Sequence, residues 1–517
     1  MTLREKIGQR LIVGFPGTEL TEEFRTFLKE YKIGNIILFE RNAVNDRQLE
    51  DLCRELRELI LENTGELPFI TIDQEGGNIC RLKEDGVNVP GAMAIAATGD
   101  PGNAFLAGEL TGKELAAMGI NFDLAPVMDV NCNPANPIIC ERSYGDTPRQ
   151  VADYATEMMK GLLKGGVLAC AKHFPGHGDT ASDSHLGMPV VNKPGEELER
   201  TELYPFQKAV EAGIPAIMSA HIRFPAMEPD NLPATLSKRI LTGYLREQLG
   251  FEGLILSDCL EMEAIKGSCG VPKGACMAME AGVDMVFISH TMEFAKAAVE
   301  ELEKKAEQEP EFAANIEKAV QRILKFKETY LGAKNQPEGK NVYGDPASKE
   351  MAYQLLEKTI APANLPGGCL PEMGAHPLFV GCPLFDATGV EDAGRICPTF
   401  PEAMQETLGG TAIVLDPDGT DENWERIINI AKESSCVVYS VYHADQRPGQ
   451  LALANRLAEL SVPMIAVSLK SPYELSKIPE HVTQIAAWEY SERCFKAVRE
   501  ILAGKKKMTG TMPVTIR

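Results

Sequence analysis

The stretch that decides the fold is Val167-Leu168-Ala169-Cys170-Ala171-Lys172-His173, continuing Phe174-Pro175-Gly176-His177-Gly178-Asp179-Thr180-Ala181-Ser182-Asp183-Ser184-His185. Its first five residues are apolar without alternation, the pattern of a strand buried on both faces in a parallel sheet. The run closes on two titratable residues and opens into a segment whose two glycines and proline forbid a regular helix. An apolar strand with a chemically loaded C-terminal end is what one spoke of a (β/α)8 barrel looks like, since such barrels carry their chemistry on the loops beyond the strand ends.

Working outward, seven similar runs occupy residues 11–15, 35–39, 69–73, 122–127, 216–221, 254–258 and 285–289, with helical patterns between them, for example over 46–62, 148–163 and 238–249. Eight βα units in succession predict an α/β chain whose N-terminal part is a closed TIM-type (β/α)8 barrel. Polar residues close six of the strands: Asp73, Asp129 just past the fourth, Lys172-His173, His221, Asp258 and Ser289-His290. Packing alone does not predict that clustering, although any one of these residues could serve as a helix cap.

The barrel is expected over 1–331. Residues 332–345 (GAKNQPEGKNVYGD) are polar and turn-rich and read as a linker. The C-terminal domain, 346–517, begins with a predicted helix over 346–360. Strand patterns follow at 377–382, 412–415, 436–442, 464–469 and 485–488, with helices over 422–433 and 449–460. That series predicts a doubly wound αβα domain. Its first turn has no GxGxxG, so no nucleotide site is expected. It could shield the barrel, form a dimer contact or add a wall to the cleft.

Composition narrows the partners. A formal charge of −22 argues against nucleic acid or an anionic membrane, both of which need a basic face. The one dense basic run, Lys505 to Lys507, reads as a solvated helix end. The N-terminal MTLREK lacks the apolar core of a signal peptide, and no 18-residue apolar run is present. Thirteen cysteines, without CxxC pairs and often within apolar runs (Cys170, Cys382, Cys436), fit free thiols in a reducing compartment. The expected location is cytoplasmic, and the expected state is monomer or homodimer.

Three of the eight histidines fall within thirteen residues of the loop after 167–173. Asp183 and His185 lie two apart; a carboxylate beside a histidine fixes its tautomer and raises its basicity, as general acid/base work needs. His177 either braces the loop or joins the chemistry. Asp258, closing an apolar strand, faces the expected barrel mouth and could attack an anomeric carbon. Asp73, followed by Gln74-Glu75-Gly76-Gly77, is suited to gripping sugar hydroxyls. A zinc site built from His173, His177 and His185 competes, but the spacing matches no zinc signature and no helix carries HExxH, so no metal is expected.

These stretches together resemble family 3 glycoside hydrolases, and within them the NagZ-type β-N-acetylglucosaminidases (β-N-acetylhexosaminidases). The resemblance is carried by Ile72 to Gly77 with Arg81-Leu82, Asn121 to Val130, Glu141-Arg142-Ser143-Tyr144-Gly145, Lys172 to Gly178 with Asp183-Ser184-His185, Met218 to His221, Pro233 to Ser237, and Ser257-Asp258 with Met262. The second domain resembles the family's C-terminal layer through Ser471-Pro472-Tyr473-Glu474-Leu475 and Thr509 to Val514. The resemblance implies that Asp258 is the nucleophile and that His185, oriented by Asp183, is the acid/base. It also implies that Asp73, Arg81, Arg142, Lys172 and His173 hold the terminal sugar. The implied reaction is retaining, cofactor-free removal of terminal β-linked N-acetylglucosamine from a small carbohydrate such as a peptidoglycan fragment. Asn78 departs from the family's usual arginine, which bears on sugar specificity if residue 78 lies near the aglycone. Three other activities are weighed beside this one: a family 3 phosphorylase, a metal-dependent hydrolase on the same barrel, and an inactive carbohydrate-binding barrel.

Overall fold

The computed structural model describes residues 1–180, 187–332, 343–385, 397–418 and 423–516. Eight parallel strands close into a barrel in sequence order: β1 (Leu11–Val13), β2 (Asn35–Leu38), β3 (Phe69–Ile72), β4 (Phe122–Asp123), β5 (Leu168–Phe174), β6 (Ala216–Ser219), β7 (Leu254–Cys259) and β8 (Met285–Ile288). β1 closes the ring by pairing with β8, with Ile12 opposite Phe287.

The strands obey period two. Ile12, Ile37, Phe69, Phe122, Leu124, Leu168, Cys170, Ala216, Met218, Leu254, Leu256, Met285 and Phe287 form the barrel's inner core. Their neighbours Val13, Ile36, Leu38, Ile70, Ile72, Ala169, Ile217, Ile255, Val286 and Ile288 pack outward against the helices. Both faces are apolar because both are buried, which is why the runs do not alternate in the sequence. Carried upward, the inward rows read Phe69-Thr71-Asp73, Leu168-Cys170-Lys172 and Leu254-Leu256-Asp258. Three polar residues from alternate strands thus form the top layer of the core.

The helices follow local signals. Asp46–Thr64 starts on Asn45, whose side chain accepts from Gln48 N–H, and stops at Gly65 in the left-handed region at φ 77°. Pro148–Gly165 begins on its proline and ends at Gly166, φ 100°. The segment Arg239–Gln248 is wound with i→i+5 bonds rather than as the ordinary helix its pattern predicts.

The C-terminal sheet holds β9 (Ala361–Asn364), β10 (Leu378–Gly381), β11 (Thr411–Val414), β12 (Val437–Val441), β13 (Met464–Ser468) and β14 (Thr483–Ala486) in the order β11-β10-β12-β13-β14-β9. The five predicted strands are the parallel ones. β9 is an antiparallel edge that the sequence pattern hides: it contains Pro362, which an edge strand tolerates and a central one does not. The preceding helix, Pro346–Glu357, stops short of the predicted 360 for the same reason, since the chain turns into β9.

The helix Pro310–Leu331 closes the barrel floor. Its Ile323 joins the inner core, and its Lys327 is buried beneath it. The Lys327 ammonium donates to Gln9 Oε1 at 2.6 Å and to Gly34 O at 3.2 Å, 5.3 Å from the Phe69 ring centroid. Burial pushes its pKa down to about 7, against a small opposing pull from Glu66. The unfolded chain, whose lysine titrates near about 10.4, therefore holds the extra proton between the two values. Stability contributed at this site rises with pH across that window. The melting temperature of wild type relative to Lys327→Met should accordingly climb from pH 7 to 10; a flat difference in thermal melts would contradict it.

Candidate active site

The inward top layer opens into a cavity of about 400 Å³ at the C-terminal face of the barrel. Asp73, Arg81, Arg142, Lys172, His173 and Asp258 all line it, so the structure brings together every predicted site residue it describes. Asp183 and His185 lie outside the described residues. The preceding residues His177 and Thr180 are buried.

The site is organised around a buried ammonium. Lys172 Nζ lies 2.6 Å from Asp73 Oδ1 and 2.7 Å from Glu75 Oε1. Glu75 in turn takes Arg142 in a two-pronged pair, 2.9 Å from Nε and 2.7 Å from the second terminal nitrogen. Arg142 also donates to Ile138 O at 3.2 Å. Burial alone would raise the Glu75 pKa, yet Arg142 and Lys172 hold it well below the usual carboxylate range. Burial would likewise favour neutral Lys172, and Asp73 and Glu75 reverse that, keeping it charged. Four alternating charges thus fix one wall of the cavity, each the counter-ion of the next. Sequence reasoning gives Glu75 no role; its signal is its place two residues after the strand-end Asp73.

Asp129 is the second organiser. Its carboxylate accepts from His173 N–H at 3.1 Å and from His177 N–H at 2.7 Å, and it lies 2.7 Å from His173 Nδ1. Burial opposes its ionisation, but the facing histidines hold its pKa down. A carboxylate only accepts, so Nδ1 of His173 carries the proton and Nε2 is the ring nitrogen left for the cavity. His177 is pushed to about 4 by burial and by His173, so it is neutral; its Nδ1 sits 2.8 Å from Thr180 Oγ1. The loop is seated by backbone contact as well: a Cβ on Gly178 would meet Val130 O at 1.7 Å, so only glycine fits.

Asp123 behaves oppositely. Burial holds its carboxyl well above the usual range, with Asp73 and Glu75 adding to the push. Gln74 N–H donates to its Oδ1 at 2.9 Å. On the facing side of the cavity, Cys259 N–H donates to Asp258 Oδ1 at 2.7 Å, orienting that carboxylate. Glu261, beside it, accepts from His290 N–H at 2.6 Å, and the His290 ring lies 5.0 Å from Phe39. Phe39, Met218, Glu261, Met262 and His290 line the cavity without having been singled out as sugar-binding residues in the sequence. His221 does not face the ligand space; it spans Thr235 Oγ1 (2.8 Å) and Cys259 O (2.9 Å).

Asn78 is absent from the cavity lining. It sits at the junction of the two domains, with Nδ2 3.4 Å from Glu141 Oε1 and 3.4 Å from Trp488 O, and its Oδ1 accepting from Tyr490 N–H at 3.4 Å. The departure from arginine is therefore an interface feature. No group of three or more His, Cys, Asp or Glu side chains among the described residues is arranged to hold a metal, and no described helix is long and apolar enough to cross a membrane. The thirteen cysteines are free.

Residues 2–326 match the model of the glycosyl hydrolase family 3 N-terminal domain, and the chain belongs to that family. Over its full length it superposes on a glycoside hydrolase family 3 β-N-acetylglucosaminidase from Paenibacillus sp. str. FPU-7 with a TM-score of 0.93 and 35% identity, covering 99% of that chain. It is 38% identical over 279 residues to a β-hexosaminidase of Neisseria meningitidis serogroup C, covering 52% of this chain and 74% of that protein. It is 35% identical over 321 residues to β-hexosaminidase A of Pseudoalteromonas piscicida, covering 56% of this chain and 54%, about half, of that protein.

The two buried aspartates separate by experiment. Asp129→Asn places an amide N–H against donors and should cost roughly 3–5 kcal/mol of stability, with loss of activity. Asp123→Asn replaces a carboxyl whose charged form burial already disfavours by a neutral amide of the same shape and should cost less than about 1 kcal/mol. Chemical denaturation of the two variants checks the order, and equal losses would refute the assigned protonation states.

Proposed function

We propose that this protein is a retaining exo-β-N-acetylhexosaminidase that removes terminal β-linked N-acetylglucosamine from small glycosides such as peptidoglycan fragments, working in the cytoplasm as a monomer or homodimer. The observation that carries the reading is the opposition of Asp258 on β7 to the Asp73–Lys172–Glu75–Arg142 wall across one sugar-sized cavity. The names of the relatives give the sugar class.

In the proposed reaction, Asp73, Arg81, Arg142, Lys172 and the Nε2 of His173 hold the hydroxyl and acetamido groups of the terminal sugar. The Asp258 carboxylate attacks the anomeric carbon while the bond to the leaving oxygen breaks, and that oxygen takes a proton from His185, which Asp183 orients. Water then attacks the glycosyl-enzyme, His185 takes its proton, and Asp258 is released with the anomeric configuration retained. The wall supplies fixed charges that need no reorganisation as positive charge grows on the sugar ring. No step calls for a metal or an organic cofactor.

Two measurements test this. Rates on aryl β-N-acetylglucosaminide, β-N-acetylgalactosaminide and β-glucoside, with and without phosphate, should show the N-acetylglucosaminide fastest and free sugar as product. A sugar 1-phosphate formed in proportion to added phosphate would make the enzyme a phosphorylase instead. Asp258→Asn should lower turnover by several orders of magnitude with the fold intact, and His185→Ala should be hit far harder on substrates with poor leaving groups than on activated aryl glycosides.

A further inference from the structure

The stretch Ser471-Pro472-Tyr473-Glu474-Leu475 and the lysine before it have no part in the chemistry above, yet all but the half-buried Ser471 are buried, and several meet the barrel. Lys470, 6% exposed, follows β13. Its Nζ lies 3.3 Å from Glu141 Oε1 and 2.8 Å from His443 Nε2. Ser471 Oγ receives a contact from Cys140 Sγ at 3.3 Å, and Tyr473 OH accepts from Asn131 Nδ2 at 2.8 Å. Cys140, Glu141 and Arg142 form one short turn after β4. Glu141 and Arg142 are adjacent in the chain and point opposite ways: Arg142 onto Glu75 at the cavity wall, Glu141 into the second domain.

We propose that Lys470 of the C-terminal domain is a positioning residue for sugar binding, acting through Glu141 to keep Arg142 on Glu75. The inference rests on the assignment of Arg142 to the sugar subsite. Glu141 is a carboxylate with 8% exposure, one residue from the guanidinium that completes the wall. While Lys470 neutralises it, Arg142 stays in its two-pronged pair with Glu75. Without Lys470, Glu141 is a poorly solvated anion one residue from Arg142 in the same short turn, and it competes with Glu75 for that guanidinium. His443, buried between Phe385, Tyr442 and Lys470, accepts from the ammonium and so holds it on the Glu141 side. The second domain thereby reaches the sugar site although none of its described residues lines the cavity.

The test is kinetic and has an internal rescue. It uses the full-length enzyme and whichever aryl β-glycoside wild type turns over fastest, so a wrong sugar assignment and a wrong role for Lys470 give different results. Lys470→Met should raise KM and weaken inhibition by the free sugar product together by about tenfold or more, within the range that a small displacement of a binding group produces, while kcat changes less. Adding Glu141→Gln should restore both towards wild type, because a neutral amide no longer competes for Arg142. Lys470→Arg should stay near wild type. KM and product affinity within twofold of wild type in Lys470→Met would overturn the proposal, as would a double variant no better than the single one. If Lys470→Met does not fold, Lys470→Gln, which keeps a donor for Glu141 but no charge, carries the same comparison.

Discussion

A lysine ammonium buried to 2% exposure at the mouth of a barrel imposes conditions on everything around it. Lys172 is one turn of pleat above Cys170 in an otherwise apolar inward row, and its charge is tolerable there only with carboxylates in contact. Asp73 and Glu75, from the end of β3, meet that condition. Two carboxylates on one ammonium leave a negative excess, and Arg142, from the loop after β4, removes it. The end of β3, the loop after β4 and strand β5 are thereby tied at their charged groups, and the shape of the ligand space follows from electroneutrality as much as from packing.

The same reasoning extends outward to the second domain. Open parallel sheets offer ligands the crevice at the carboxyl ends of their strands. Here those ends face the barrel: His443 follows β12, Lys470 follows β13 and Trp488 follows β14, and Lys470 and Trp488 meet Glu141 and Asn78 from barrel loops. Arg493 adds bonds to Asn88 O and Val89 O, and the C-terminal residues run along the barrel through Thr511 N–H to Ala97 O and Gln150 to Pro513 O. The binding edge of one domain has become the buttress for the binding loops of the other.

Protonation in this site is decided by what faces each group, not by residue type. Asp123 and Asp129 belong to one short stretch and are both buried. Asp129 meets three histidine N–H groups and is held ionised; at Asp123 burial, aided by Asp73 and Glu75, outweighs the Gln74 N–H and Lys172 and raises the carboxyl well above the usual range. His177, beside His173 and away from bulk water, is held neutral and so can seat the loop without adding a third cation beside Lys172 and Arg142.

Much of this was legible in the chain. Apolar runs of strand length, with helical patterns between, determined the barrel, because a strand covered on both faces has no polar side to show. The polar last residues of those runs marked Asp73, Lys172 and Asp258 as strand ends at the barrel mouth; that the three share the inner face was decided by the structure, since both faces of these strands are apolar. β9 stayed hidden, because a proline-bearing edge strand carries too little pattern to read. The tertiary structure alone decided that Lys172 meets Glu75, that Glu75 takes Arg142, that Asn78 lies at the domain junction rather than in the cavity, and that Glu141 answers to Lys470, 329 positions away. Periodicity reports which face of an element a side chain occupies, a local property of the backbone. Which charge it meets there depends on how the loops fold over the rim, and the partners in a buried ion network are chosen only when the chain brings them together and excludes the water between them.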